Sequence, residues 1–300
     1  MQSLSHKIRF LTISVAALTL VITGFVFGSI EDSISKSFKV GPGGTLTLQT
    51  DIGSINVKAV ESSTIEVEVL REVKTTSEKT AKEILDRFKI DFNQSGKDVF
   101  IKAEYERNGL GRFFDKIRNR LKVKYIVSVP RIYNVELKTS GGSISVDDLE
   151  GEVNTKTSGG SLQFNNIKGN ILGRTSGGSI KIGKVEGTVD VHTSGGSISV
   201  KEVMGTIKAR TSGGSVKAYI STQPSSNCRL TTSGGSITVY LAEDIRMNVD
   251  ASTSGGHVST EFPVIIKGKI SKRALRAKIN GGGPELFLHT SGGNIHLKKI

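Results

Sequence analysis

Five basic residues recur every 18 positions in this chain: Lys138, Lys156, Arg174, His192 and Arg210. Each stands immediately before a Thr-Ser-Gly-Gly-Ser copy, which begins at Thr139, Thr157, Thr175, Thr193 and Thr211. If the flanking segment is a strand whose alternate residues face inward, all five point outward together. Stacked coil on coil they form a row of cations at ~4.8 Å intervals. The hydroxyls of Ser140, Ser158, Ser176, Ser194 and Ser212 run beside them. Such a row suits a repeating polyanion, either an acidic polysaccharide or an anionic membrane surface. Repulsion between neighbouring cations is modest, ~0.9 kcal/mol in bulk water and less with salt. A solvated polar face copied along with the repeat accounts for the same pattern.

A second basic cluster lies at residues 107–124, with Arg112 and Lys116 around Phe113, Phe114 and Ile117. Phe113, Ile117 and Leu121 are spaced by four, which predicts a short basic amphipathic helix. Such a helix settles on an anionic membrane surface. It can equally pack on the flank of the fold with its charges in water.

Groups for covalent or hydrolytic chemistry are sparse. Asp147 and Asp148 are adjacent, so in a strand they face opposite sides. No HExxH pair or His–Cys cluster supplies metal spacing, and neither GxSxG nor a Walker loop occurs. His257 and Asn294 merely replace the last Ser of the repeat. A polysaccharide lyase or hydrolase needs clustered carboxylates, so these residues favour a non-enzymatic protein without cofactor or metal.

The elements that must carry the row follow from the period. Counting the repeat Thr as position 1, position 6 holds Ile144, Leu162, Ile180, Ile198, Val216 and Ile237. Position 8 holds Val146, Phe164, Ile182, Val200, Ala218 and Val239, with a mostly polar residue between. That alternation is a strand with one buried face. Position 11 is apolar, position 13 is Gly151, Gly169, Gly187 or Gly205, and a second alternating stretch follows at positions 15 to 1. The Gly-Gly pair reads as a corner, which glycine suits because it accepts φ > 0. Self-similarity at so short a period predicts a solenoid. The expected fold is all-β: a right-handed parallel β-solenoid (β-helix) with 18-residue coils and one inserted helix. Further copies begin at Thr232, Thr253 and Thr290; these longer spacings read as coils with loops inserted at a corner.

Three regions are expected. Residues 1–30 form a signal peptide or membrane anchor, because Lys7 and Arg9 precede an uncharged run at 10–30 long enough for one bilayer core. Residues 31–134 form an irregular β region that caps the stack, with a helix opened by a Thr75–Glu78 capping box and faced by Ala81, Ile84, Leu85 and Phe88. Residues 135–300 are the regular repeats. The chain is therefore expected to be exported, held by that helix or released from it. Its net charge of +13 suits anionic glycans, phospholipid headgroups or lipopolysaccharide phosphates; nucleic acid is not among the expected partners. Cys228 is the lone cysteine, so no intramolecular disulfide can form.

Three segments carry a family resemblance: residues 46–57 (LTLQTDIGSINV), the Thr-Ser-Gly-Gly-Ser-Ile series, and residues 279–297 (INGGGPELFLHTSGGNIHL). Together they make the chain resemble the bacterial candidate-adhesin domains of unknown function, a β-strand-repeat family of exported and membrane-associated proteins. The resemblance implies a repetitive binding face at the cell envelope and brings no catalytic residues with it. An anchored sensor or assembly component, docking an envelope protein partner, is the alternative expectation.

Overall fold

The computed structural model describes residues 28–106, 120–266 and 271–300. Among them, positions 6 and 8 of the repeats opened by Thr139 to Thr232 are buried, as are positions 15, 17 and 1 of the 18-residue coils: Ile144 and Val146, then Val153, Thr155 and Thr157. Each coil thus folds into two short strands with inward alternate residues. Ile144–Asp147 pairs in parallel with Leu162–Asn165 of the next coil. Val153–Thr157 lies between Asn134–Thr139 and Ile171–Arg174, also in parallel. Repeated coil by coil, these pairings build two 13-stranded, mostly parallel sheets among the described residues. Position 11 closes a narrow third side: Leu149, Ile167, Val185 and Val203 are all buried, and Ile167 pairs with Val185.

The corners owe their sequence to stacking distance. The buried Thr donates its hydroxyl to a Gly carbonyl of the coil beneath, as Thr193 Oγ1 does to Gly178 O at 2.7 Å. It also accepts the N–H of its own second glycine, Gly196, at 3.4 Å. The same double contact recurs from Thr157 to Thr211. The last Ser forms another ladder, its hydroxyl accepting the next coil's Ser N–H, as Ser161 does from Ser179 at 3.2 Å. Asn294 inherits both roles: its N–H meets Ser236 Oγ, and its Oδ1 accepts from His257 N–H.

Here the reason expected for the Gly-Gly pair is corrected. The second glycines do not have positive φ. A Cβ on Gly160, Gly178 or Gly196 would instead fall under 3.0 Å from the carbonyl of the equivalent glycine below. Positive φ belongs to position 13, where Gly169 has φ +143°.

Chain order and stacking order part company at both ends. The first coil, residues 45–60, lies between the coil at 98–130 and the coil at 134–147. The last coil, residues 285–299, slips between the coil at 228–241 and the coil at 247–260. The 37-residue spacing before Thr290 is therefore no simple corner insertion. It holds an antiparallel cap, in which Ala274–Ile279 pairs with Met247–Thr253 and Val264–Ile266 pairs with Ala274–Ile279. At the other end Ile30–Lys39 pairs antiparallel with Thr64–Val73, which in turn pairs antiparallel with Leu121–Pro130. Antiparallel caps end the parallel ladders, whose bare edges would template aggregation.

The described residues contain one helix, Glu78–Arg87. Its N-cap is Ser77, which accepts from Thr80 N–H; Thr75 instead accepts the Ser77 N–H, so the capping residue is two positions later than expected. Ala81 and Ile84 are buried, and Phe88 is the C-cap residue that opens the strand Phe88–Ser95. The expected export segment lies almost wholly outside the described residues.

Two tyrosines tie this end together. Tyr125 Oη bonds Thr50 Oγ1 at 3.0 Å, and Tyr133 donates to the Lys97 carbonyl. Burial raises the Tyr125 phenol well above its ordinary range, against the Thr50 bond. Burial and then Asp98 push Tyr133 up to about 12. Above about pH 10 the unfolded chain releases phenol protons that the native fold retains. Stability from these groups is therefore complete below that pH and lost as pH rises through the native values. Urea midpoints measured from pH 8 to 11.5 are expected to fall, and to fall less steeply in Tyr133→Phe.

Candidate functional site

The outer face of the second sheet carries the five basic residues in one register. Lys138 lies opposite Lys156, Lys156 opposite Arg174, Arg174 opposite His192 and His192 opposite Arg210. Their surroundings differ. Lys138 is exposed on the same strand face as Glu136, and Lys156 is exposed beyond it. Arg174 is half-buried: its Nη1 donates to the Asp190 carbonyl at 2.8 Å and its Nη2 to the Asp190 carboxylate at 2.7 Å. That charge is matched within the protein. His192 and Arg210, by contrast, open into a cleft of about 490 Å³.

The cleft exists because the row changes character. Beyond Arg210 the register continues to Thr231 and then His289. Where four of the preceding coils place a long cation, Thr231 is short. Arg229 stands two residues before it, its guanidinium 4.0 Å from the Phe287 ring centre of the neighbouring strand, a cation–π contact that holds the guanidinium in place. Ser212, Ser233 and Ser291 also line the cleft, and no carboxylate does among the described residues. Lys208, opposite Arg229 in the sheet, adds further positive charge.

Arg229, Thr231, Phe287 and His289 were not singled out by the 18-residue spacing. Their positions before Thr232 and Thr290 are nevertheless those of the basic column and of the outward column two residues before it, so continuing the columns past Arg210 finds the residues. Nothing in the spacing shows that Phe287 lies beside Arg229, because that depends on the inverted coil order.

A second cleft, of about 530 Å³, lies at the N-terminal cap. Its charges are largely paired: Arg71 with Asp32, and Lys122 with Glu72 at 2.9 Å. Two Ser–His contacts occur, Ser252 with His289 Nδ1 at 3.0 Å beside the first cleft and Ser259 with His296 Nδ1 at 2.8 Å. A nucleophile–base pair needs a third group to orient the base; among the described residues no carboxylate bonds either ring. No group of three metal-ligating side chains is assembled among the described residues either.

Of the expected membrane-surface cluster, Arg112, Phe113, Phe114, Lys116 and Ile117 lie outside the described residues. Leu121, read with them as a helical contact, is instead the first residue of the strand Leu121–Pro130. Leu121, Val123, Tyr125, Val127 and Val129 are buried there at a period of two.

Parallel coils around one apolar core, with charges displayed on the outer sheet faces, define a solenoid-like β-repeat protein. The chain belongs to the Toastrack DUF4097 family, which matches residues 44–298. It is also similar to a solved candidate adhesin from Bacteroides fragilis NCTC 9343, at 12% identity over 89% of this chain and 97% of that one, with a TM-score of 0.42. A candidate adhesin from Parabacteroides distasonis ATCC 8503 matches at 11% identity over 89% and 97%, with a TM-score of 0.40. A candidate cell adhesion protein from Clostridium sporogenes ATCC 15579 matches at 15% identity over 89% and 99%, with a TM-score of 0.30. No curated protein matches the chain.

Proposed function

We propose that this is an exported, non-enzymatic envelope protein that binds an anionic polymer along the outer face of its second sheet. The observation that carries this reading is the basic register from Lys138 to Arg210, which ends in a cleft where the described residues supply basic groups and hydroxyls but no carboxylate. The coil sense that goes with it is right-handed, the rule for parallel strands joined by a crossover. A polymer laid along the axis meets one outward side chain per coil, so its charges are engaged in series. Salt-sensitive binding of an acidic polysaccharide follows, because screening weakens exposed charge contacts.

The test compares two sets of variants for binding to acidic polysaccharides at low and high salt. Lys156, Lys208 and Arg210 changed together to Ser are expected to weaken binding roughly 100-fold at low salt, at ~1 kcal/mol per cation near an anionic surface. Arg174→Ser made together with Asp190→Ser is expected to change it little, since the two charges match each other. Equal binding by the triple variant and the natural protein would sink the proposal. The uncharged run at residues 10–30 favours a second setting, in which the solenoid stays anchored and docks an envelope partner. Mass spectrometry of the mature N-terminus separates them: retention supports the anchored protein and cleavage the released one.

A further inference from the structure

We propose that the hollow over Thr231 is a subsite for one tetrahedral oxyanion, a sulfate or phosphate ester carried on a polysaccharide. The inference rests on the polymer-binding reading above and goes beyond it by naming the group that is recognised. Charge alone would be served by a continuous row of long cations. The row is instead interrupted by Thr231, which points outward yet is only 8% exposed because its neighbours stand above it. Its hydroxyl makes no hydrogen bond with the described residues.

The groups around the hollow match an ester-linked oxyanion better than a carboxylate. Arg210 and His289 stand before and after Thr231 in the same row. Arg229 reaches in from the adjacent row, held over Phe287, and the Ser233 hydroxyl closes the rim. A carboxylate offers two oxygens in a plane and is satisfied by a single guanidinium fork. Donors arriving from the two rows, the floor and the rim require an anion with oxygens directed several ways, as a tetrahedral ester has. The cleft spans four coils from His192 to His289, about 14 Å at the strand spacing, so the sugars on either side of the ester have room along the axis. That length favours a linear glycan over a lipid headgroup presented by a flat membrane.

The decisive variant is Thr231→Arg, which fills the hollow while adding a cation to the row. Titration calorimetry of the full chain uses three probes: heparin, which carries sulfate esters; polygalacturonate, which carries only carboxylates; and phosphatidic acid vesicles. The natural protein is expected to bind heparin, and Thr231→Arg to bind it about tenfold more weakly despite its extra charge. Polygalacturonate binding is expected to stay the same or tighten in that variant. Arg229→Ala, an exposed change, is expected to weaken heparin binding similarly but polygalacturonate binding less, and that difference decides the matter if Thr231→Arg does not fold. Equal or tighter heparin binding by the variants overturns the subsite and leaves the charge row standing. Vesicle binding without heparin binding overturns the glycan assignment, and failure of the natural protein to bind any probe overturns the polymer reading itself.

Discussion

Gly178→Ala is expected to lower stability by ~3 kcal/mol or more, at the upper end of what overpacking does. The new methyl would fall under 3.0 Å from the Gly160 carbonyl oxygen, and that oxygen already accepts the Thr175 hydroxyl at 2.7 Å. Neither coil can retreat without stretching the parallel ladders on both sides. For a domain of this size the change corresponds to a fall in Tm of roughly 6–12 °C. The adjacent Gly177→Ala is the control. Its methyl would meet nothing closer than 3.4 Å, so its effect is expected within about 1 kcal/mol, with part of any loss offset by a stiffer unfolded chain. Denaturant unfolding of the two variants side by side checks the claim. If they lose equal stability, close stacking is not why the second glycine is there.

Thr193→Val is expected to destabilise by about 2–3 kcal/mol although it preserves shape and adds apolar surface. Thr193 is fully buried, and its hydroxyl serves both the Gly178 carbonyl and the Gly196 N–H. Valine would leave two backbone groups of this half-buried corner without their partner, a loss that water there only partly makes good. Thr193→Ser keeps the hydroxyl and loses one methyl, an expected effect of about 1 kcal/mol. The order of stability, Thr above Ser above Val, is the measurable signature. Valine matching threonine would show that the ladder contributes little.

The columns of the repeat made much of this structure legible. Alternation at positions 6 and 8 located the first-sheet strands, and position 1 was correctly an inward Thr. Two things escaped. The glycine pair resembles a turn signal, yet its cause is an approach between coils that no local pattern encodes. The order of the last coils is hidden because Thr253 and Thr290 open nearly identical corners, either of which could stack on the Thr232 coil by pattern alone. The candidate site inherits that ambiguity. The basic row was readable as far as Arg210, while the contact of Arg229 with Phe287 depends on which coil comes next. Even the Arg174–Asp190 pair was within reach, since Asp190 stands two residues before His192 in the adjoining column.

The inverted order of the final coils also bears on how the chain is made. Synthesis delivers residues 247–260 before residues 285–299, yet the later segment belongs beneath the earlier one. A nascent chain therefore meets a decoy: the Thr253 corner can settle directly on the Thr232 corner, with every hydroxyl–carbonyl contact available to it. Reaching the native stack means holding that place open or undoing the mistake when the last strand arrives. Most solenoids can grow by accretion from any nucleus. This one is finished like a drawstring bag, closed only when its tail is pulled through.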